Sequence, residues 1–417
     1  TKNKNQPPAS PHTTRWLKPV PLPPPSRVNK PAAPARLEAA LKKTRGPGTV
    51  HMAPDLLKQL PARLREWHYR ATAVLFKDSG GDGILVHLAA PDAADALCGM
   101  AVDLGTTRVV LRIIDLATGK HLGESVFDNP QAALGPDVLA RIHHVETPGG
   151  LEQLNRLIIE GINSQLRDLC SRCGATPEDI HLVSVAGNTA MTHLLMGLNP
   201  RWMIREPYIP VVNRPGVVRT AELGIQVHPT ARALIFPNVG SYFGGDLVAG
   251  ILFCDMDRRE ETAILVDVGT NAEVVLGNRN WMMACAGAAG PALEGGVTRM
   301  GTTAGPGVID RIGIDPGSME IDIHTIGDQP PRGICGSGVI DLAAALFRSA
   351  MIDIRGKLIP ERCGDRFKMK DDLGHLTIVP ANQSASGEDL GITQADLDSL
   401  IRSKAAMYTI LETITGS

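Results

Sequence analysis

A short motif that occurs twice constrains this chain more than any other feature. Residues 101–107 read Ala-Val-Asp-Leu-Gly-Thr-Thr and residues 265–271 read Leu-Val-Asp-Val-Gly-Thr-Asn. Each is an apolar run, then Asp-x-Gly-Thr, then a second apolar segment, which is the pattern of a β-hairpin with the aspartate near its tip. The glycines Gly105 and Gly269 let the backbone approach a ligand closely. Thr106, Thr107, Thr270 and Asn271, with the turn N–H groups, supply donors for phosphate oxygens. Asp103 and Asp267 can hold Mg²⁺ directly or through water, because Mg²⁺ favours a few carboxylates together with waters and phosphates. One such hairpin is ordinary turn chemistry. Two copies, each between β-rich runs, point to two related domains facing one another across a nucleotide.

At 417 residues the chain is long enough for two or three domains with ample core. No apolar run approaches the roughly 20 residues of a membrane helix. The polar, proline-rich N-terminus lacks the apolar stretch of a signal peptide. Seven cysteines at scattered positions fit a reduced, cytoplasmic protein better than a disulfide framework. Cys170 and Cys173 form a lone Cys-x-x-Cys at the end of an amphipathic helix. With no second cysteine or histidine pair at zinc spacing, they read as structural.

Residues 1–35 hold ten prolines and read as a linker, extended where ordered. Residues 1–70 carry 14 Lys/Arg against 3 Asp/Glu. No aromatic platform accompanies this charge, so a solvated surface is expected, with no nucleic acid as partner. Residues 36–97 form a small α+β domain, with helices at Arg36–Lys43 and Asp55–Leu64 and a strand pair at Tyr69–Phe76 and Gly83–Leu88. The main body follows from 98 to 417, with halves at 98–260 and 261–417. In the first half, Leu151, Leu154, Leu157, Ile158, Ile162, Leu166 and Leu169 share one face of a helix within Pro148–Cys170. The strand His181–Ala186 runs through Gly187, Asn188 and Thr189 into the next helix, a junction that presents free N–H groups. Plain N-capping by Asn188 or Thr189 accounts for the same residues. His193 reads as a core or helix-surface histidine. A further strand, Ala233–Val239, leads to a helix with Asp246 at its start.

The second half opens with the strand Ala263–Asp267 and its hairpin, which includes Glu273. Two glycine-rich stretches follow, at Gly287–Gly296 and Gly333–Gly338, and the second runs into the helix Val339–Leu346. Glycine loops serve tight packing as readily as ligand approach, so neither decides anything alone.

Taken together, the two hairpins, the helix-opening Asp246 and the glycine-rich loops resemble the superfamily of acetate and sugar kinases, heat-shock cognate proteins and actin. Asn129-Pro-Gln131, Gly135–Ile142, Gly187–Met191, the run ending at Glu273, Ala289–Glu294 (which contains Gly290) and Gly333–Gly338 look more closely like the reductive activators of corrinoid proteins. The resemblance spans essentially the whole chain. It implies an α/β fold: an actin-like, ribonuclease H-like duplicated nucleotide-binding domain preceded by a small α+β middle domain, residues 36–97.

The activity implied is ATP-dependent return of a partner's cobalt from Co(II) to Co(I), with ATP bound and hydrolysed at a two-lobed cleft. Asp103 and Asp267 would serve the Mg²⁺ shell, the glycines and hydroxyl residues of both hairpins would embrace the phosphates, and Asp246 would orient the attacking water. Gly336, Ser337 and Gly338 would line the nucleotide pocket, with Gly187, Asn188, Thr189, Glu273, Gly290 and Glu294 as further binding positions. The expected partner is a corrinoid protein, with a homodimer left open and no membrane.

Two departures stand out. The family's [2Fe-2S] domain needs four clustered cysteines, and no such run precedes Cys98; the chain also stops where a further glycine-rich, adenosine-binding segment would follow. A fragment is therefore expected, its C-terminal end incomplete. Two other readings stay open: a small-molecule kinase of the same superfamily, and a docking scaffold that no longer hydrolyses ATP.

Overall fold

The computed structural model describes residues 17–26, 30–45, 48–77, 82–91, 97–268, 272–287, 298, 300–302 and 304–416. The chain forms two compact units, 1–250 and 251–417.

The first unit opens with a small α+β domain. Its elements are β1 (Leu17–Pro21), α1 (Ala33–Arg45), β2 (Val50–Met52), α2 (Pro54–Glu66), β3 (Arg70–Lys77) and β4 (Gly83–Ala89), and its sheet has the order β1-β3-β4-β2. The proline-rich stretch expected as linker thus contributes a strand. Pro19 and Pro21 are accommodated because β1 is an edge strand, where a missing N–H costs no ladder bond. Val20 and Leu22 are buried against Leu37, Leu41, Leu60 and Leu64 of the two helices.

A six-stranded sheet follows, built from β5 (Cys98–Leu104), β6 (Arg108–Asp115), β7 (His121–Asp128), β8 (Ile180–Gly187), β9 (Gly216–Arg219) and β10 (Arg232–Ile235). Its order is β7-β6-β5-β8-β10-β9, with β5, β6 and β7 an antiparallel meander and β8 and β10 running parallel to β5. This is the ribonuclease H-like arrangement that the family resemblance implied. The helices α3 (Val138–His144), α4 (Gly150–Cys173) and α5 (Thr189–Leu195) accompany it, and α6 (Gly245–Phe253) follows β10. α4 buries Leu154, Ile158, Ile162, Leu166 and Leu169 against Met100, Val102, Leu111 and Val185 of the strands. It ends at Gly174, whose φ of 68° is the left-handed cap that favours glycine.

The second unit begins with a matching meander, β11 (Ala263–Val268), β12 (Ala272–Asn278) and β13 (Trp281–Gly287). Among the described residues no strand pairs with the outer edge of β11, and Ile264, Val266, Trp281, Met282 and Met283 are exposed. A second sheet has the order β15-β14-β16, from β14 (Val308–Ile314), β15 (Ile321–Thr325) and β16 (Gly333–Ile334), and leads into α7 (Gly336–Arg348). After α8 (Pro360–Cys363), a third sheet, β17 (Phe367–Lys370), β18 (Leu373–Val379) and β19 (Leu390–Thr393), precedes α9 (Gln394–Gly416). Leu342, Leu346, Leu376, Ile392 and Leu397 join in one core. None of the described helices is long and apolar enough to cross a membrane.

Candidate functional site: a turn braced from behind

The first Asp-x-Gly-Thr turn joins β5 to β6 beside the end of β8, where Leu104 pairs with Gly187 and Asp103 with Ala186. Asp103 is exposed. A Cβ on Gly105 would lie 2.3 Å from the Arg108 carbonyl oxygen, so the turn closes on itself only with glycine there. Gly187 is equally constrained, since a Cβ would sit 2.7 Å from Leu104 O.

Three successive carbonyls of this turn are tied backwards. Asn129 Nδ2 donates to Gly105 O at 2.8 Å, Arg141 Nη2 donates to Thr106 O at 2.7 Å, and Asn129 N donates to Thr107 O at 2.8 Å. Because each peptide is planar and trans, its N–H points opposite to its C=O. Tying back the Gly105 and Thr106 carbonyls therefore turns the Thr106 and Thr107 N–H groups away from the brace. From the other side Asn188 Nδ2 donates to Thr106 Oγ1 at 2.9 Å, which leaves the threonine O–H to donate onward.

The brace follows from local sequence. Asn129 caps a short 3₁₀ turn by accepting from Gln131 N at 3.0 Å. The loop at Gly135 leads to Asp137, which caps α3 by accepting from Ala140 N at 2.8 Å. α3 then delivers Arg141, which is fully buried. Its guanidinium also donates to Gly135 O at 2.8 Å and Gln131 Oε1 at 3.3 Å, and it lies 3.0 Å from Met191 Sδ. Burial pulls Arg141 down to about 10, against the opposing pull of Asp137, so it stays charged at neutral pH. Among the described residues no carboxylate forms an ion pair with it. A buried positive charge thus stands directly behind the turn and favours anions in front of it.

Asn188 doubles as the N-cap of α5, accepting from Met191 N at 3.0 Å, and Thr189 Oγ1 donates to Gly240 O at 3.2 Å. Both the capping reading and proximity to the turn hold for this junction. Gly244 backs onto it: a Cβ there would lie 2.4 Å from Asn188 Cα, 2.6 Å from Gly187 O and 2.5 Å from Asp246 Oδ1. That contact sets half-buried Asp246 beside the end of β8, where its Oδ1 accepts from Leu247 N at 2.9 Å. Asp103, Gly105, Thr106, Thr107, Gly187, Asn188, Thr189 and Asp246 therefore converge at one end of the first-unit sheet. His193 is a core histidine, as expected. Its Nδ1 donates to Thr189 O at 2.7 Å and its Nε2 accepts from Val211 N at 3.1 Å, and burial lowers its pKa.

In the second unit Asp267 pairs across the ladder with Glu273, and Asp267 is exposed. Gly269, Thr270, Asn271, Gly290 and Glu294 lie outside the described residues. Gly336, Ser337 and Gly338 open α7 on the separate β15-β14-β16 sheet. Ser337 Oγ donates to Asp310 O at 3.1 Å, and a Cβ on Gly338 would meet Ile309 O at 2.5 Å. Tight packing of α7 on β14 is therefore a use the structure gives these two residues. Sequence reading quoted the stretches holding Asn129, Gln131 and Arg141 but gave them no role. The available signal was a lone arginine on the apolar side of a short capped helix.

Residues 98–259 match the family model described as the RACo middle region, and residues 261–417 match the C-terminal domain of RACo, the ASKHA domain. The chain is 30% identical over 337 residues to the corrinoid activation enzyme RamQ of Eubacterium limosum, covering 79% of this chain and 56% of that protein. It is 25% identical over 295 residues to the [Co(II) methylated amine-specific corrinoid protein] reductase of Methanosarcina barkeri, covering 62% and 52%. The solved structure of a reductive activator for a corrinoid, iron-sulfur protein superposes with a TM-score of 0.84 at 36% identity, over 96% of this chain and 64% of that one. The chain thus spans about half the length of the curated relatives it matches. With both family models met in order along one chain, and the braced turn inside the first, this protein belongs to the family of reductive activators of corrinoid proteins.

Proposed function

We propose that this chain is the nucleotide-responsive part of an ATP-dependent activator that helps return a corrinoid protein from Co(II) to Co(I). The observation that carries the reading is the turn at Gly105–Thr107. Its carbonyls are tied back, its N–H groups face outward, and a buried cation stands behind it. Such a turn needs little rearrangement to accept phosphate oxygens. The first hairpin and its counterpart at Asp267 bind ATP. Asp103 and Asp267, exposed carboxylates two residues before the turn glycines, would hold Mg²⁺, which neutralises phosphate charge when bound. Asp246, fixed by Gly244, accepts a hydrogen bond from the water that attacks the terminal phosphate, giving ADP and inorganic phosphate. Nucleotide drives reduction only if it binds one conformation better than another.

The residues present do not fit a [2Fe-2S] cluster. All seven cysteines are free, and among the described residues the one group of ligand-type side chains close enough for a metal consists of histidines. The electron that converts Co(II) to Co(I) is therefore assigned to a donor outside these residues. Unpaired thiols throughout suit a reducing compartment such as the cytoplasm.

The test is ATP binding with and without Mg²⁺ by calorimetry, for the unaltered chain and Thr106→Val. Mg²⁺-dependent binding weakened by the loss of the hydroxyl supports the reading. Absence of binding, or binding indifferent to Thr106 and to Mg²⁺, overturns it.

A further inference from the structure

Away from the braced turn, three histidines from distant parts of the first unit meet. His87 lies on β4 of the small domain, His181 on β8, and His228 in the loop ahead of β10. Their ring centroids are 4.3 Å (His87–His181), 4.7 Å (His87–His228) and 4.4 Å (His181–His228) apart. One ring nitrogen from each lies within 4.8 Å of the others.

The backbone is irregular at this meeting. In the β3–β4 ladder Val74 pairs with His87 and Leu75 with Leu85, so Val86 is an extra residue. This bulge breaks the alternation of β4. Leu85 and Leu88 stay in the core of the small domain, while Val86 joins a separate cluster with Leu116 and Leu182 and His87 turns toward His181. In the β5–β8 ladder Cys98 pairs with Ile180 and Gly99 with Leu182, which leaves His181 as the extra residue. Bulges in parallel pairs are rare, and bulges commonly re-aim a side chain.

Two of the three rings, His87 and His181, keep a buried nitrogen without the partner that buried imidazoles ordinarily find. His181 is 3% exposed, and Nδ1 of both His87 and His181 is buried with no hydrogen bond. No hydrogen bond joins the rings to one another. His228 Nδ1 lies 2.8 Å from Thr230 Oγ1 and 3.2 Å from Thr230 N. Nδ1 accepts from the Thr230 N–H and so holds the ring proton on Nε2; a cation takes His228 through a ring that rotates off Thr230 and changes tautomer.

Burial holds His87 at about 4 and His181 at about 3 and lowers His228 as well, so the rings are neutral near pH 7. Neutral imidazole is the metal-ligating form. The charges that bear on the group are Arg63, which disfavours a cation, and Glu178 and Asp179, which favour one. Neither ring stacking nor apolar packing accounts for two buried, unpartnered nitrogens.

We propose that His87, His181 and His228 form a site for one divalent cation of zinc type, which staples the small domain to the sheet that carries the braced turn. Three imidazoles suit a borderline ion and leave a fourth position for water. Zn–N bonds of about 2.0–2.1 Å require the nitrogens to draw in to roughly 3.4 Å apart. Rotation of the His87 and His228 side chains, both half-buried, supplies that movement. β8 ends at Gly187 beside the turn, so the staple holds the opposite end of a strand the nucleotide site uses.

The probe is Co²⁺ added to the untagged, chelator-stripped 417-residue chain. The expected result is one equivalent bound, with the intense visible absorption of four-coordinate cobalt, displaced by Zn²⁺. His87→Gln and His228→Gln each weaken binding at least about 100-fold, since even losing a second partner of a ligand costs 10–100-fold. Their circular dichroism without metal matches the parent chain. Zn²⁺ raises the parent's melting temperature and leaves both variants unmoved. Failure of the unaltered chain to bind Co²⁺ overturns the proposal, as does equal binding in the variants. A near-ultraviolet sulfur-to-cobalt charge-transfer band overturns it too, because it places the ion on cysteines. The outcome is independent of whether the chain binds ATP.

Discussion

Replacing Arg141 by methionine separates the brace from the bulk stability of the first unit. The guanidinium donates to Thr106 O at 2.7 Å and Gly135 O at 2.8 Å from a fully buried position. Two carbonyls left unsatisfied cost about 1–3 kcal/mol each. Against this, burial pulls the arginine from 12.5 to about 10, a desolvation burden of roughly 3 kcal/mol that methionine does not carry. The two nearly offset, so unfolding free energy should change by less than about 3 kcal/mol. The turn has no such compensation. A hydrogen bond from a charged donor contributes about 1.5–3 kcal/mol, and losing it from the set geometry of Thr106 should weaken ATP binding roughly 10- to 150-fold. Arg141→Lys keeps the charge without the fork and should fall between. Denaturant titration and calorimetric ATP binding on the same samples give both numbers. A folded Arg141→Met chain that binds ATP within about twofold of the parent would refute the bracing argument.

Three further outcomes follow from the same geometry. Gly244→Ala puts a Cβ 2.4 Å from Asn188 Cα and 2.5 Å from Asp246 Oδ1; hydrolysis should fall at least about tenfold while ATP binding falls less, read as kcat against KM. Asp267 is exposed, so Asp267→Asn should leave the melting temperature within a degree or two while cutting ATP turnover by about two orders of magnitude or more; near-normal turnover removes its metal role. Burial lowers the pKa of His193. The unfolded chain therefore takes up the proton first, and stability is full above about pH 6.5 and falls as pH drops below it, by up to about 1.4 kcal/mol per unit from this residue. His193→Asn should show a shallower decline between pH 6.5 and 5 in denaturation midpoints, and an identical slope would place the proton uptake elsewhere.

What could be read from the sequence was local chemistry. The hairpin at Asp103 was legible because turn residues and flanking strand residues carry their own signals, and α4 because its leucines repeat at helical spacing. The Asn188 cap was legible for the same reason. The strand at Leu17–Pro21 was hidden because proline content suggested a linker, whereas only the identity of an edge strand decides whether proline is tolerated. Arg141 was hidden because burial of an arginine is a tertiary fact: nothing in Val138–His144 states that Gly135, Gln131, Thr106 and Met191 close around it. Ser337 and Gly338 look alike in sequence whether they meet a ligand or pack a helix on a strand, and their contacts to Asp310 and Ile309 are of the second kind. His87, His181 and His228 carried no shared pattern, since two bulges and a loop bring them together.

The proposed function ties nucleotide use by this chain to a corrinoid protein. The most direct measurement is steady-state ATP hydrolysis with Mg²⁺, with and without a corrinoid protein held in the Co(II) state, alongside Asp267→Asn as the control. Hydrolysis should rise several-fold with the Co(II) protein, should not rise with the same protein in the Co(I) state, and should be lost in Asp267→Asn. A rate indifferent to the corrinoid protein, or one that instead depends on a small-molecule phosphoryl acceptor, would contradict it.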